Sequence, residues 1–231
     1  DLVLTARRTD RLATVAAEAK RLGAPNTTII AADLSAAETP RDIHRQLSEA
    51  KIAVDYLVNN AGFGTRGRFG RLSLDREVEQ VNLNVTALVA LTGHFLPDMV
   101  QRGRGTIINV ASTAAFQPVP FMATYGATKA FVLSFSEALA EELSGSGVRV
   151  MALCPGPSRT EFQAVANVLD AKMPSFAYMD AQSVVAKAID AAERGKAVRI
   201  TGAMNFMLAQ SARITPRRVV AKITGAMFRV V

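Results

Sequence analysis

The 231 residues include a single cysteine, Cys154, two histidines and no tryptophan. One cysteine excludes an internal disulfide and makes a reducing cytosol, hence a cytoplasmic location, the expectation. Cys154 sits before Pro155 at the end of an apolar run and reads as small buried filler. His44 and His94 fall on separate predicted helices without clustered cysteine or acidic partners, so no metal site is expected. No run of eighteen uninterrupted apolar residues occurs, which argues against a membrane-crossing helix. Charge follows the first apolar run instead of preceding it, the reverse of a secretory signal. Internal repeats, low-complexity tracts and a second domain are not apparent.

What is present suits one domain over 1–231, with 49% hydrophobic residues and a net charge of +7. A positive balance admits nucleic acid, membrane or an anionic ligand as partner. The basic residues look dispersed and no aromatic-interleaved basic stripe occurs, so no nucleic-acid partner is expected.

Along the chain, strands and helices alternate. Leu2–Ala6 reads as a strand, followed by Arg7 and Arg8 and a helix to Leu22 capped by Thr9 or Asp10. Thr27–Ala31 is a second strand, and Thr39-Pro40 opens a helix ending near Lys51. Asp55–Asn59 is a third strand with Asn60, Ala61 and Gly62 as its turn. Arg66, Arg68 and Arg71 then lie on a Gly-rich segment that reads as a solvated loop, with an anion site as the alternative. A helix over 74–101, strands at 106–112, 148–154 and, briefly, 197–200, and helices at 125–143 and 181–194 follow. This alternation predicts an α/β fold with a doubly wound parallel sheet.

The stretch with most chemistry is Tyr125-Gly126-Ala127-Thr128-Lys129. Residues four apart share one helix face, one turn apart. An ammonium there favours the phenolate and is expected to pull the tyrosine pKa down, tuning the pair for acid–base work. Ser112 ends the preceding buried strand; its alternative role is a strand-end hydroxyl capping backbone.

Taken together, Asn59-Asn60-Ala61-Gly62, Asn84, Ser112, Tyr125 with Lys129, and Pro155-Gly156 with Thr160 resemble the short-chain dehydrogenase/reductase family. The resemblance runs over about positions 1 to 200 and implies a Rossmann-like fold and carbonyl–alcohol interconversion with a nicotinamide cofactor. It implies that Tyr125 moves the proton, Ser112 hydrogen-bonds the substrate oxygen, and Lys129 lowers the tyrosine pKa and holds the nicotinamide ribose. Asn84 would anchor a water behind Lys129, with Asn82 as competitor for that role. Asp33 and Leu34 resemble the adenine-contacting pair. Asn60, Ala61 and Gly62 would let backbone approach the cofactor, and Pro155, Gly156 and Thr160 would close around the nicotinamide. The residues after the Leu2–Ala6 strand meet the adenosine ribose in such folds. Arg7 and Arg8 there favour the 2′-phosphate of NADP over NAD, the alternative being two arginines on a solvated loop. A small carbonyl or alcohol substrate and a homo-oligomer are likewise implied.

The family's opening strand and glycine-rich turn do not occur in this chain, which reads as an N-terminally truncated reductase. The absent strand belongs between Leu2–Ala6 and Asp55–Asn59, so a gap near ~10 Å with two unpaired edges is expected. A catalytically silent scaffold is the alternative function. Around Met173-Pro174 lies the region where the family carries its substrate loop. Residues 203–231 read as two amphipathic helices, the second with Pro216, Val219, Val220, Ile223 and Met227 on one stripe and Arg217, Arg218, Lys222 and Arg229 beside it. The favoured role is a lid or subunit contact whose methionines suit a lipid-like substrate. Contact with a membrane surface through 213–231 is the alternative.

Overall fold

The computed structural model describes residues 1–158, 160–169, 171 and 178–230. The expected substrate loop around Met173-Pro174 lies outside the described residues. Six strands, β1 (Leu2–Ala6), β2 (Thr27–Ala31), β3 (Tyr56–Asn59), β4 (Gly105–Val110), β5 (Val148–Cys154) and β6 (Val198–Ile200), are all paired in parallel. They form two separate groups: β1–β2, and β3–β4–β5–β6. Parallel strands need crossovers, which here are helices. These are α1 (Thr9–Arg21), α2 (Thr39–Glu49), α3 (Leu74–Val81), α4 (Ala87–Gln101), α5 (Ala123–Glu142), the short α6 (Phe162–Val165) and α7 (Ala181–Glu193). The tail adds α8 (Ala203–Ile214) and α9 (Arg217–Phe228).

The break between β1 and β3 falls where the family resemblance places a further strand, and β3 beside it is exposed. Tyr56 and Val58 share one face and are 50% and 54% exposed, although the strand should be central. By contrast β4 buries Ile107 and Ile108 on opposite faces, and β5 is buried from Val150 to Cys154. Strands covered on both faces need such continuous apolar runs.

Helix α4 docks by spacing. Ala87, Leu88, Leu91, Phe95 and Met99 recur at three and four, and most join Ile43, Leu47, Ile107 and Val150 in the largest core cluster. Each of the larger of these side chains contributes about 1.5–3 kcal/mol on burial. By length and mean hydropathy alone the helical segment 74–101 could cross a membrane, but this face is spent on the sheet.

Three local expectations need correction. Thr9 is already helical and Arg8 stands at the N-cap, with neither Thr9 nor Asp10 capping. The helix from 74 is interrupted by a π-helical turn at Asn82–Thr86, an insertion that concentrates at functional positions. His44 and His94 are not isolated. Their rings stack at 5.7 Å, and His44 Nε2 lies 3.0 Å from Asp98 Oδ2.

Candidate active site

Helix α5 begins beside the ends of β4 and β5 and carries Tyr125 and Lys129 inward, both buried. Phe121, just before it, holds a left-handed φ of 68°, and its carbonyl accepts from the Gly67 amide. Strained, non-glycine backbone of this kind collects at functional sites. Ser112 follows β4. Its hydroxyl oxygen accepts from the Ala114 amide at 3.1 Å, so it caps backbone, and the same side chain neighbours the Tyr125 phenol, whose pKa it draws down.

Lys129 Nζ donates to the Val110 carbonyl at 2.6 Å and lies 5.9 Å from the centre of the Tyr125 ring. The expected pKa ordering needs revision. Burial raises the Tyr125 pKa, and the opposing influence is the Ser112 hydrogen bond, not the lysine. Burial also lowers Lys129 to about 8, with a smaller opposing contribution from Cys154. Both shifts come from removing water, which disfavours the charged form of either group. Cys154 itself is pushed up to about 12 by burial, which makes it inert as a nucleophile.

The lysine shift has a consequence for stability. Between pH 8 and the ordinary lysine value of ~10.4 the unfolded chain binds more protons at this position than the folded one. Its contribution to stability therefore grows as pH rises through that window. In cofactor-free protein, wild type should gain on Lys129→Met between pH 8 and 10, by at most about 3 kcal/mol. Parallel melting curves across that range check it; a constant difference would mean that folding leaves the Lys129 pKa unlowered.

Asn84 is buried within the π-helical turn. Its amide nitrogen donates to the Phe63 carbonyl at 2.9 Å and to Thr128 Oγ1 at 3.1 Å, while Oδ1 accepts from the Phe63 amide at 3.1 Å. A Cβ on Gly62 would come within 2.9 Å of that oxygen and 3.5 Å of Lys129 Nζ. Asn84 thus ties the Asn60–Gly62 turn to the catalytic helix. Gly156 is equally constrained, since a Cβ there would lie 2.1 Å from the Asn205 amide nitrogen.

Asn60, Gly62, Ser112, Tyr125, Lys129, Pro155, Gly156 and Thr160 all line one cavity of about 420 Å³. Val119, Met122, Phe162, Val168, Leu208, Met227 and Phe228 give it mostly apolar walls. Lys129 is the one charged residue among its described lining. Arg7, Arg8, Asp33, Leu34 and Ala61 are not in that lining. Arg7 pairs with Glu79 at 3.3 Å and Asp33 at 3.7 Å, and Arg8 with Glu161 at 2.7 Å. Asp33 also accepts from the Ser35 amide and hydroxyl, which hold its pKa below the usual carboxylate range. Leu34 is buried in the main core.

Three structural supports of the site escaped the sequence reading. Glu77 is buried and accepts from the hydroxyls of Thr65 and Thr124, the latter one residue before Tyr125. Asn205 packs over Gly156 and donates to the Thr201 carbonyl. Arg66 is not solvated: its buried guanidinium donates, among its contacts, to the carbonyls of Phe228, Asn167 and Arg229 at 2.8, 3.0 and 3.0 Å. One cation therefore gathers the end of α9 and the 167 turn, both beside the cavity. A lone amide in the apolar tail was a faint signal for Asn205. Glu77 and Arg66 had none.

The profile of the family described as short chain dehydrogenase matches residues 1–168. A sulfoacetaldehyde reductase of Chromohalobacter salexigens is 39% identical over 167 residues, covering 71% of this chain and 65% of that one. The chain thus spans less than two thirds of that curated relative's length. A short-chain dehydrogenase from Sphingobium yanoikuyae, solved in complex with NADPH, superposes with a TM-score of 0.80 at 34% identity, covering 93% of this chain and 84% of that one. A bulky-bulky ketone specific alcohol dehydrogenase from Comamonas testosteroni gives 0.75 at 30% identity, covering 92% and 81%. The protein belongs to the short-chain dehydrogenase family.

Proposed function

We propose that this protein is an NADP-dependent oxidoreductase that interconverts a carbonyl and an alcohol on an apolar substrate. The observation that carries the reading is the placement of Ser112, Tyr125 and Lys129 against one apolar cavity. The phenol, its pKa raised by burial, keeps its proton at neutral pH until a carbonyl oxygen can take it. The Ser112 hydroxyl holds that oxygen beside the phenol. When bound, the nicotinamide would supply the hydride. Glycine at 62 and 156 suits its approach, because any side chain at either position would strike Asn84 or Asn205. Lys129, Asn60 and Thr160 are the polar groups placed to hold it.

The relatives' printed functions bear on substrate class. A sulfonate such as that of sulfoacetaldehyde needs a counter-charge, and the described lining offers only Lys129, committed below the phenol. A bulky, uncharged ketone fits the walls better. For the cofactor, the NADPH-bound relative supports NADP. Arg7 and Arg8 are exposed, and exposed ion pairs are worth ~0–1 kcal/mol, so a 2′-phosphate displaces their carboxylates cheaply.

The test uses protein carrying a preceding strand and glycine-rich turn. NADPH should bind more tightly than NADH, and replacing both Arg7 and Arg8 with Ala should remove most of that preference, since bonds of ~1.5–3 kcal/mol are lost. Equal affinity for the two cofactors before mutation would reject the NADP assignment. Absence of NADPH oxidation with a panel of bulky ketones would reject the reaction.

A further inference from the structure

We propose that the outward face of α8 and α9 docks on an anionic lipid surface. Most of the chain's net positive charge belongs to these two helices and their flanks: residues 203–231 carry five Lys and Arg and no Asp or Glu, whereas residues 1–202 carry 22 basic against 20 acidic residues. The charge is thus segregated, not dispersed.

Apolar surface accompanies it. On α8, Phe206, Met207 and Ile214 are 49%, 63% and 87% exposed, while the inward side is occupied by Asn205 and Ala209. On α9 the expected single stripe is split. Val220 and Thr224 turn inward, and Thr224 donates to the Pro118 carbonyl at 2.8 Å. Gly225 stands against Pro120, where a Cβ would lie at 3.4 Å. Those contacts fix the helix's rotation, so Val219 and Ile223 stay outward, next to Arg218 and Lys222 at the same four-residue spacing. Met227 and Phe228 of α9 stand on the cavity wall, which leaves this outer face unused.

Exposed apolar patches of this kind mark interaction surfaces. A second copy of the chain is disfavoured as occupant, because a two-fold contact brings the same basic face against itself. A bilayer containing acidic headgroups supplies both what the apolar side chains and what the cations lack. This inference does not depend on the catalytic reading.

The experiment is sedimentation of the protein, in the form the cell makes, with vesicles of phosphatidylcholine alone or mixed with phosphatidylglycerol. Binding should require phosphatidylglycerol and weaken with salt. A variant with Arg217, Arg218 and Lys222 changed to Gln should bind on the order of a hundredfold more weakly, about fivefold per cation. A Phe206→Ser, Met207→Ser, Ile223→Ser variant, which keeps every charge, should lose at least about tenfold. Circular dichroism confirms that both remain folded. Absence of sedimentation, or sedimentation unaffected by the apolar substitutions, would overturn the proposal, the second reducing it to general attraction of a basic protein. Light scattering that shows a dimer broken by the serine substitutions would assign the face to a second copy and overturn it too.

Discussion

Replacing Tyr125 with phenylalanine should lower turnover by roughly 10²- to 10⁴-fold, the usual worth of a general acid–base group. The change removes only the hydroxyl. The ring remains in its buried position among Val119, Met122 and Val168, so stability should hardly move. What disappears is the phenolic proton, held at neutral pH, and the hydroxyl that neighbours Ser112. Steady-state carbonyl reduction by protein bearing a preceding strand and glycine-rich turn is the measurement. A variant keeping more than about half of wild-type turnover would remove Tyr125 from the mechanism.

A polypeptide limited to residues 1–231 should bind NADPH at least on the order of a hundredfold more weakly than one preceded by a strand and glycine-rich turn, since two or more charge-assisted bonds to the pyrophosphate are lost. The physical basis is the break between β1 and β3, which leaves two parallel edges with unpaired backbone groups and half of β3 in solvent. The same edges should make the shorter polypeptide prone to aggregate. Fluorescence titration with NADPH, read beside light scattering, checks both. Tight, monomeric binding by the shorter polypeptide would mean that the gap closes in solution without an added strand.

The two expectations draw on different levels of information. Tyr125, Lys129 and Ser112 were legible in the linear sequence, because a four-residue helical spacing and a strand-end position are local properties. So were the strands and the helix boundaries within a few residues, which follow from apolar periodicity and turn residues, whereas the place of a further strand came from the family resemblance. Even the tail's two helices were legible. Which side of each faces inward was not, since Val219 and Val220 are equally apolar and only Pro118 and Pro120 decide between them.

Tertiary structure alone decided the electrostatics. Charge spacing suggested that Lys129 depresses the tyrosine pKa, whereas burial raises the phenol and lowers the ammonium. Desolvation depends on everything packed around a group and has no local sequence signature. The same holds for Arg66, which looked like one of three arginines on a polar loop. Its carbonyl partners lie 101 to 163 residues away, and only the folded chain brings them to it. Local spacing thus determined which groups this protein has for chemistry; long-range packing determined their protonation, their supports and the surface left over.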